Sequence, residues 1–327
     1  MNSILTENQL RYAVGPLLYM PALRTDIADK LGNGISGLRS AAICLEDTVR
    51  DDLVEEAENN LASELSKLRQ GIDSGLYRNK TPMIFIRVRS PGQLERLADR
   101  FAETGLVDGF ILPKIDDETI EDHVPAVKRA QEMWEKPLYI MPIIENPSLL
   151  KPSERYGRLS RLYERLMEIK PMVLNVRIGG NDFCRALSLR AGKAQTIYDL
   201  TPVASLLGDI SAQFTADFTV SAPVWNYFGS MEDESWQRGM IREMELDKAA
   251  GFVGKTVIHP SQIELVNRSM AVSAEDYKDA RLIIESADSP IQVIKSVKGD
   301  RMYEHKVHGK WAEKILALGD IYGICES

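Results

Sequence analysis

Short apolar runs alternate along the chain with amphipathic stretches, and that alternation predicts repeated strand-helix units around a parallel sheet. Eight runs read as strands: LLYMPA (17–22), AAICLED (41–47), MIFIRVR (83–89), GFILPKI (109–115), LYIMPIIE (138–145), VLNVRIGG (173–180), FTVSAPV (218–224) and KTVIHP (255–260). Between them the period changes to that of a helix. Val54, Ala57, Leu61, Leu65 and Leu68 share one face. Ser90 caps a helix with Pro91 in its first turn, which buries Leu94, Leu97, Ala98 and Phe101 and stops at Gly105. Thr201-Pro202 opens another through Leu206, Leu207, Ile210 and Phe214, and Trp236, Met240 and Met244 stripe the next, as core positions.

Eight such units predict an α/β fold, a closed (β/α)8 TIM barrel, whose closure leaves no free sheet edge and whose size of about 250 residues suits the chain. The barrel is assigned to residues 1–272, including a last helix at 261–270. Residues 273–327 are assigned to a C-terminal helical extension, part of the same domain or an oligomer contact, with helices at 275–287 and in WAEKILALGDIYG. Gly32-Asn33-Gly34-Ile35-Ser36-Gly37 has the spacing of a dinucleotide loop but follows a helix and leads into a strand. A pyrophosphate needs the reverse order, so this is read as a plain connection.

Composition narrows the class. Of 327 residues 44% are hydrophobic and 27% charged, with a formal charge of -8, which argues against nucleic acid as a partner. No run approaches the ~20 apolar residues of a membrane span, and the start MNSILTENQLRYAVG lacks the basic and apolar regions of a secretory signal. Three cysteines, Cys44, Cys184 and Cys325, have no metal-type spacing. A reducing cytoplasm, small-molecule partners and no membrane are the expectation.

In such a barrel, chemistry belongs at the C-terminal ends of the strands. There the chain places Arg24, Glu46 and Asp47, Arg87 and Arg89, Lys114, Glu145, Asp182 and His259. Charges converging on one rim are costly to desolvate unless they pair or meet a ligand. Glu145 and Asp182 end neighbouring strands and read as a two-carboxylate seat for magnesium, which takes oxygen ligands and keeps several waters. Gly179-Gly180, just before Asp182, would admit a ligand close to the backbone. Arg24, Arg87 and Arg89 carry planar donors suited to carboxylate or phosphate. Alternation predicts that Arg87 and Arg89 point inward together, with Glu46 and Asp47 either their ion-pair partners or proton-transfer groups. Lys114 reads as a supporting cation, because neighbouring acids oppose the lowered pKa that Schiff-base chemistry needs. His259 reads as a structural strand-end residue.

The ordered motifs LYMPALR, CLEDTV, FIRVR, ILPKI, IIENP, IGGNDF and GFVGKTVIHPSQI span nearly the whole chain, which thereby resembles the citrate lyase β-subunit group of the HpcH/HpaI aldolase family, within the phosphoenolpyruvate/pyruvate-binding barrels. The resemblance implies a homo-oligomeric carbon-carbon lyase with magnesium on Glu145 and Asp182. It implies substrate binding by Arg24 and Arg87 and catalytic roles for Arg87, Glu46 and Asp47. Arg89, Lys114, Gly179, Gly180 and Asn181 are the further substrate-binding candidates. The implied substrate is a carboxylate or acyl thioester, with CoA then part of the substrate, cleaved to a 2-oxo acid and an acetyl-type product. Cys44 stands where the family often has Asp, Arg89 where it often has Asn, and Arg177 is an added cation. These departures point to a more anionic, phosphorylated substrate or to structural ion pairs. They also motivate the alternative of a non-catalytic metal- and anion-binding barrel in a multi-protein assembly.

Overall fold

The computed structural model describes residues 6–77, 81–287, 289 and 293–325. The chain divides into two compact units, Val14–Val266 and Met1–Ala13 with Asn267–Ser327.

The larger unit is the barrel. Its strands are β1 (Pro16–Pro21), β2 (Ser40–Cys44), β3 (Met83–Arg87), β4 (Val107–Ile115), β5 (Tyr139–Ile144), β6 (Val176–Ile178), β7 (Val220–Ser221) and β8 (Lys255–Val257). They are hydrogen-bonded in sequence order, with β8 returning to β1, and the assigned ladders are parallel. A parallel bridge between Ala222 and Lys255 closes the ring, supported by Val253 N–H donating to Val220 O at 2.8 Å.

The helices form where the apolar period placed them. Helix Val54–Asp73 buries Ala57, Leu61, Leu65 and Leu68, and Ser90 caps Pro91–Phe101 by accepting from Gln93 N–H at 3.2 Å. Helix Glu234–Ala249 buries Trp236, Met240 and Met244. These side chains join one core between helices and strands. The Gly32–Gly37 stretch is a connection, and Gly32 is small for a packing reason: a Cβ there would lie 2.3 Å from the Tyr77 ring.

Several strands are shorter than the apolar runs suggested, β7 (Val220–Ser221) and β8 (Lys255–Val257) among them. β2 stops at Cys44, β3 at Arg87, and β6 comprises only Val176–Ile178 because Gly180 already begins a helix, Gly180–Ala186. Glu46, Asp47 and Arg89 therefore lie on connections, where strand alternation no longer sets their direction.

On the outer side of β8, Lys255 is buried between Glu243 Oε1 and Asp247 Oδ2, each at 2.8 Å, and Tyr198 donates to Asp247 Oδ1 at 2.8 Å. Burial pushes the Asp247 carboxyl up to about 6; Lys255 opposes that rise and Glu243 adds to it.

The smaller unit contains helices Glu7–Ala13, Ala274–Glu285 and His305–Tyr322 and an antiparallel pair, Val293–Lys295 with Met302–Glu304. Ile324–Cys325 pairs with Val272–Ser273. Helix Glu7–Ala13 has its partners in this unit: Tyr322 donates to Tyr12 O at 2.6 Å and Gln9 to Asp320 at 3.2 Å.

Candidate active site

A cavity of about 260 Å³ opens at the C-terminal ends of the barrel strands, and Tyr19, Asp47, Arg87, Glu145, Arg177 and Asp182 are among the residues lining it. Arg87, the last residue of β3, organises one side. Its Nη2 lies 2.9 Å from Glu46 Oε2, 3.1 Å from Asp47 Oδ2 and 3.0 Å from Glu145 Oε1. Burial works against its charge, but Glu145 and Glu46 help to more than offset this, so the guanidinium stays protonated.

Glu145 follows β5 and is only 3% exposed. Besides Arg87 it accepts the Lys114 backbone N–H at 3.0 Å. That N–H is aimed by an irregularity in β4: the register with β5 shifts between Leu112 and Ile115, and Lys114 takes a left-handed φ of 54°. A non-glycine residue there stores strain, which is maintained by what the turn delivers. The Lys114 ammonium reaches back to Glu46 and lies 3.1 Å from Asp47 Oδ1. Burial lowers its pKa, yet the two carboxylates outweigh that effect and hold it above its ordinary value, the reverse of what an imine-forming lysine requires.

Burial, with the interacting carboxyl of Asp182, pushes Glu145 up to about 7 even though Arg87 opposes the rise. Asp182, in the first turn of Gly180–Ala186, also accepts Arg185 Nη2 at 2.7 Å. Two facing carboxyl groups in a buried site repel unless a proton or cation lies between them. Gly179 leaves the room: a Cβ there would fall 2.1 Å from Glu145 Oε2. Among the described residues no group of three His, Cys, Asp or Glu side chains forms a metal cluster. Two carboxylates lining a cavity suit magnesium, which completes its shell with water and substrate oxygens.

Asp47 is half-exposed, with 44% of its side chain accessible. Burial would raise its pKa, but the bond to Glu46 and the charges of Arg87 and Lys114 prevail and hold it below the ordinary carboxylate range. Gly179, Gly180 and Asn181 line the cavity, and Asn181 exchanges two amide hydrogen bonds with Asn226, at 2.9 and 2.8 Å.

Two predicted arginines are elsewhere. Arg89 does not stack inward beside Arg87, because β3 has ended; it donates to Leu45 O at 2.6 Å, Glu46 O at 2.9 Å, Val49 O and Asp51 at 2.5 Å, tying together the loop that carries Glu46 and Asp47. Arg24 is exposed and forms a two-point pair with Asp26, at 2.7 and 2.5 Å, rather than lining the cavity. His259 accepts from Ser261 N–H at 3.2 Å and stacks on Phe228 with ring centres 4.6 Å apart, a cap as expected.

Sequence reasoning passed over Tyr19 and Thr256, which line the cavity from β1 and β8, and left Arg177 open between an anionic substrate and a structural ion pair. The available signal was a polar residue within each apolar run, LLYMP, KTV and VRI.

A family model described as C-C_Bond_Lyase of the TIM-Barrel fold matches residues 8–324. A 51-residue segment is 41% identical to the citrate lyase subunit beta of Haemophilus influenzae, covering 16% of this chain and 18% of that relative's length. Among solved structures, a citrate lyase from Burkholderia xenovorans is similar with a TM-score of 0.65 at 14% identity, over 96% of this chain and 94% of that one. CitE of Mycobacterium tuberculosis, in complex with magnesium, acetoacetate and coenzyme A, is similar with a TM-score of 0.59 at 17% identity, over 95% and 99% of the two chains. At these identities the structural likeness establishes the fold.

Proposed function

The chain belongs to the family of carbon-carbon bond lyases of the TIM-barrel fold, and from that premise we propose a magnesium-dependent enzyme of the citrate lyase β-subunit type. Its substrate is a hydroxyacyl compound, as a free acid or a CoA thioester, cleaved to a 2-oxo acid and an acetyl-type product. The observation that carries this reading is the buried Glu145 carboxyl, packed into the room that Gly179 leaves and interacting with Asp182. The magnesium, acetoacetate and coenzyme A of the Mycobacterium tuberculosis relative support it.

Glu145 and Asp182 would hold the ion, which when bound polarises a substrate oxygen as a Lewis acid. Arg87, fixed by three carboxylates, presents unchanging positive charge where negative charge develops on the substrate, so little reorganisation is needed during reaction. Asp47 is the carboxylate open to the cavity and takes the substrate hydroxyl proton. As the hydroxyl becomes the carbonyl of the 2-oxo acid, the carbon-carbon bond breaks and its electron pair goes to the acetyl-type fragment, which then accepts a proton. Glu46, held between Arg87 and Lys114, positions both cations. Gly179, Gly180 and Asn181 form the substrate's bed; Arg24 takes part only on release from Asp26, and Arg89 acts by holding the catalytic loop.

The reading includes a cytoplasmic homo-oligomer. The free cysteines Cys44, Cys184 and Cys325 suit a reducing compartment, and no helix among the described residues is long and apolar enough to cross a membrane.

Asp182→Asn tests the proposal. Calorimetric titration with magnesium should show at least a tenfold loss of affinity, and release of 2-oxo acid from a panel of hydroxyacyl acids and thioesters should fall to background. Undiminished turnover in this variant would overturn the assignment.

A further inference from the structure

Four cationic side chains among the described residues are buried: Arg87, Arg155, Arg177 and Lys255. Three have carboxylate partners. Arg87 has Glu46, Asp47 and Glu145, Arg155 has Asp209 at 2.7 Å, and Lys255 has Glu243 and Asp247. Arg177, in the middle of β6 and only 1% exposed, has none within ion-pairing distance among the described residues. Its Nη2 donates to Thr256 Oγ1 at 2.7 Å, its Nη1 reaches Asn175 Oδ1 at 3.5 Å, and its Nε has no acceptor.

A guanidinium taken out of water and given only neutral oxygens forfeits most of its hydration without recovering it in an ion pair. Arg177 lines the same cavity as Glu145 and Asp182, next to Tyr19 and Thr256. An anion bound in this cavity would lie near that guanidinium.

Resting on the lyase reading above, we propose that Arg177 receives a second anionic group of the substrate, so that the enzyme selects a dianion. One acidic end lies at the Glu145–Asp182 seat and the other, a carboxylate or phosphate, reaches Arg177. The planar fork of arginine suits either oxyanion.

The test uses the full chain with magnesium, titrated calorimetrically with pyruvate, oxaloacetate and 3-phosphonopyruvate. Wild type should bind at least one of the two doubly acidic probes tenfold or more tightly than pyruvate, and the preferred probe names the group as carboxylate or phosphate. Arg177→Met should lose that advantage while its affinities for pyruvate and magnesium stay within threefold. It should also fold with an unchanged or higher Tm, because it removes an uncompensated buried charge. Should it fail to fold, Arg177→Lys replaces it, with a threefold or greater loss of the advantage expected. No preference in wild type, or the same preference in the variants, overturns the proposal. Failure of wild type to bind magnesium counts instead against the lyase reading. Arg177 is then tested without metal by the rise in Tm on adding inorganic phosphate or malonate: a rise lost in the variant supports the anion site, and equal rises overturn it.

Discussion

Arg87 and Glu145 show how single residues here are determined by their neighbours. Glu145 is buried, faces a second carboxylate and meets one backbone N–H and one guanidinium group, so its cost in isolation is offset by groups from β3 and β4. Removing one side of such a cluster leaves charge stranded: Arg87→Ala should lower stability by about 3–5 kcal/mol, measured by urea unfolding, because Glu46 and Glu145 would then crowd without their shared cation. Gly179 is determined by space. Gly179→Ala places a methyl group 2.1 Å from Glu145 Oε2, and the carboxylate must rotate away. Magnesium affinity should drop by tenfold or more in a protein that still folds; an unchanged titration would show that Glu145 is not a ligand.

Elements set the directions in which these residues act. The irregular end of β4 turns Lys114 so that its N–H serves Glu145 while its ammonium serves Glu46 and Asp47. The Arg89 staple fixes the loop after β2. On the outer side of the barrel, the pair Glu243 and Asp247 shares one lysine, so helix Glu234–Ala249 is held to β8 with one carboxylate in excess. The sign of the pH effect follows. The Asp247 pKa is raised from 3.8 to about 6 on folding, so the native state binds the extra proton and stability falls as pH rises across that interval. Asp247→Asn should flatten that dependence: the loss of unfolding free energy between pH 4.5 and pH 7, followed by denaturant titration, should be smaller than in wild type. An equal loss would place the titrating group elsewhere.

For the whole molecule, a formal charge of -8 contrasts with a cavity lined by Arg87 and Arg177, so on the reading proposed above an anionic substrate is drawn by local rather than net charge. Metal binding should register as global stability. At a magnesium concentration of 100 times Kd the native state gains about 2.7 kcal/mol, which for a protein of this size corresponds to a rise in Tm of roughly 4–5 °C. Chelation should reverse it, and Asp182→Asn should show no rise; a similar rise in that variant would place the ion at another site.

The barrel, its eight strands, the helix faces and the carboxylates at the strand ends were legible in the sequence because they depend on period and on chain position relative to each strand, both local properties. That Glu145, Asp182, Arg87 and the Glu46-Asp47 pair lie at one rim of the barrel was legible for that reason. What the sequence left open depends on where a strand stops and which distant group faces it. β3 ends at Arg87, so Arg89 turns to the carbonyls of the loop after β2 rather than inward. Arg24 closes on Asp26, two residues away. Arg177 is buried beside Thr256, 79 residues on, without a carboxylate. Periodicity identifies the face a residue is on, but only the closed barrel decides which charges meet and which one is buried without a carboxylate.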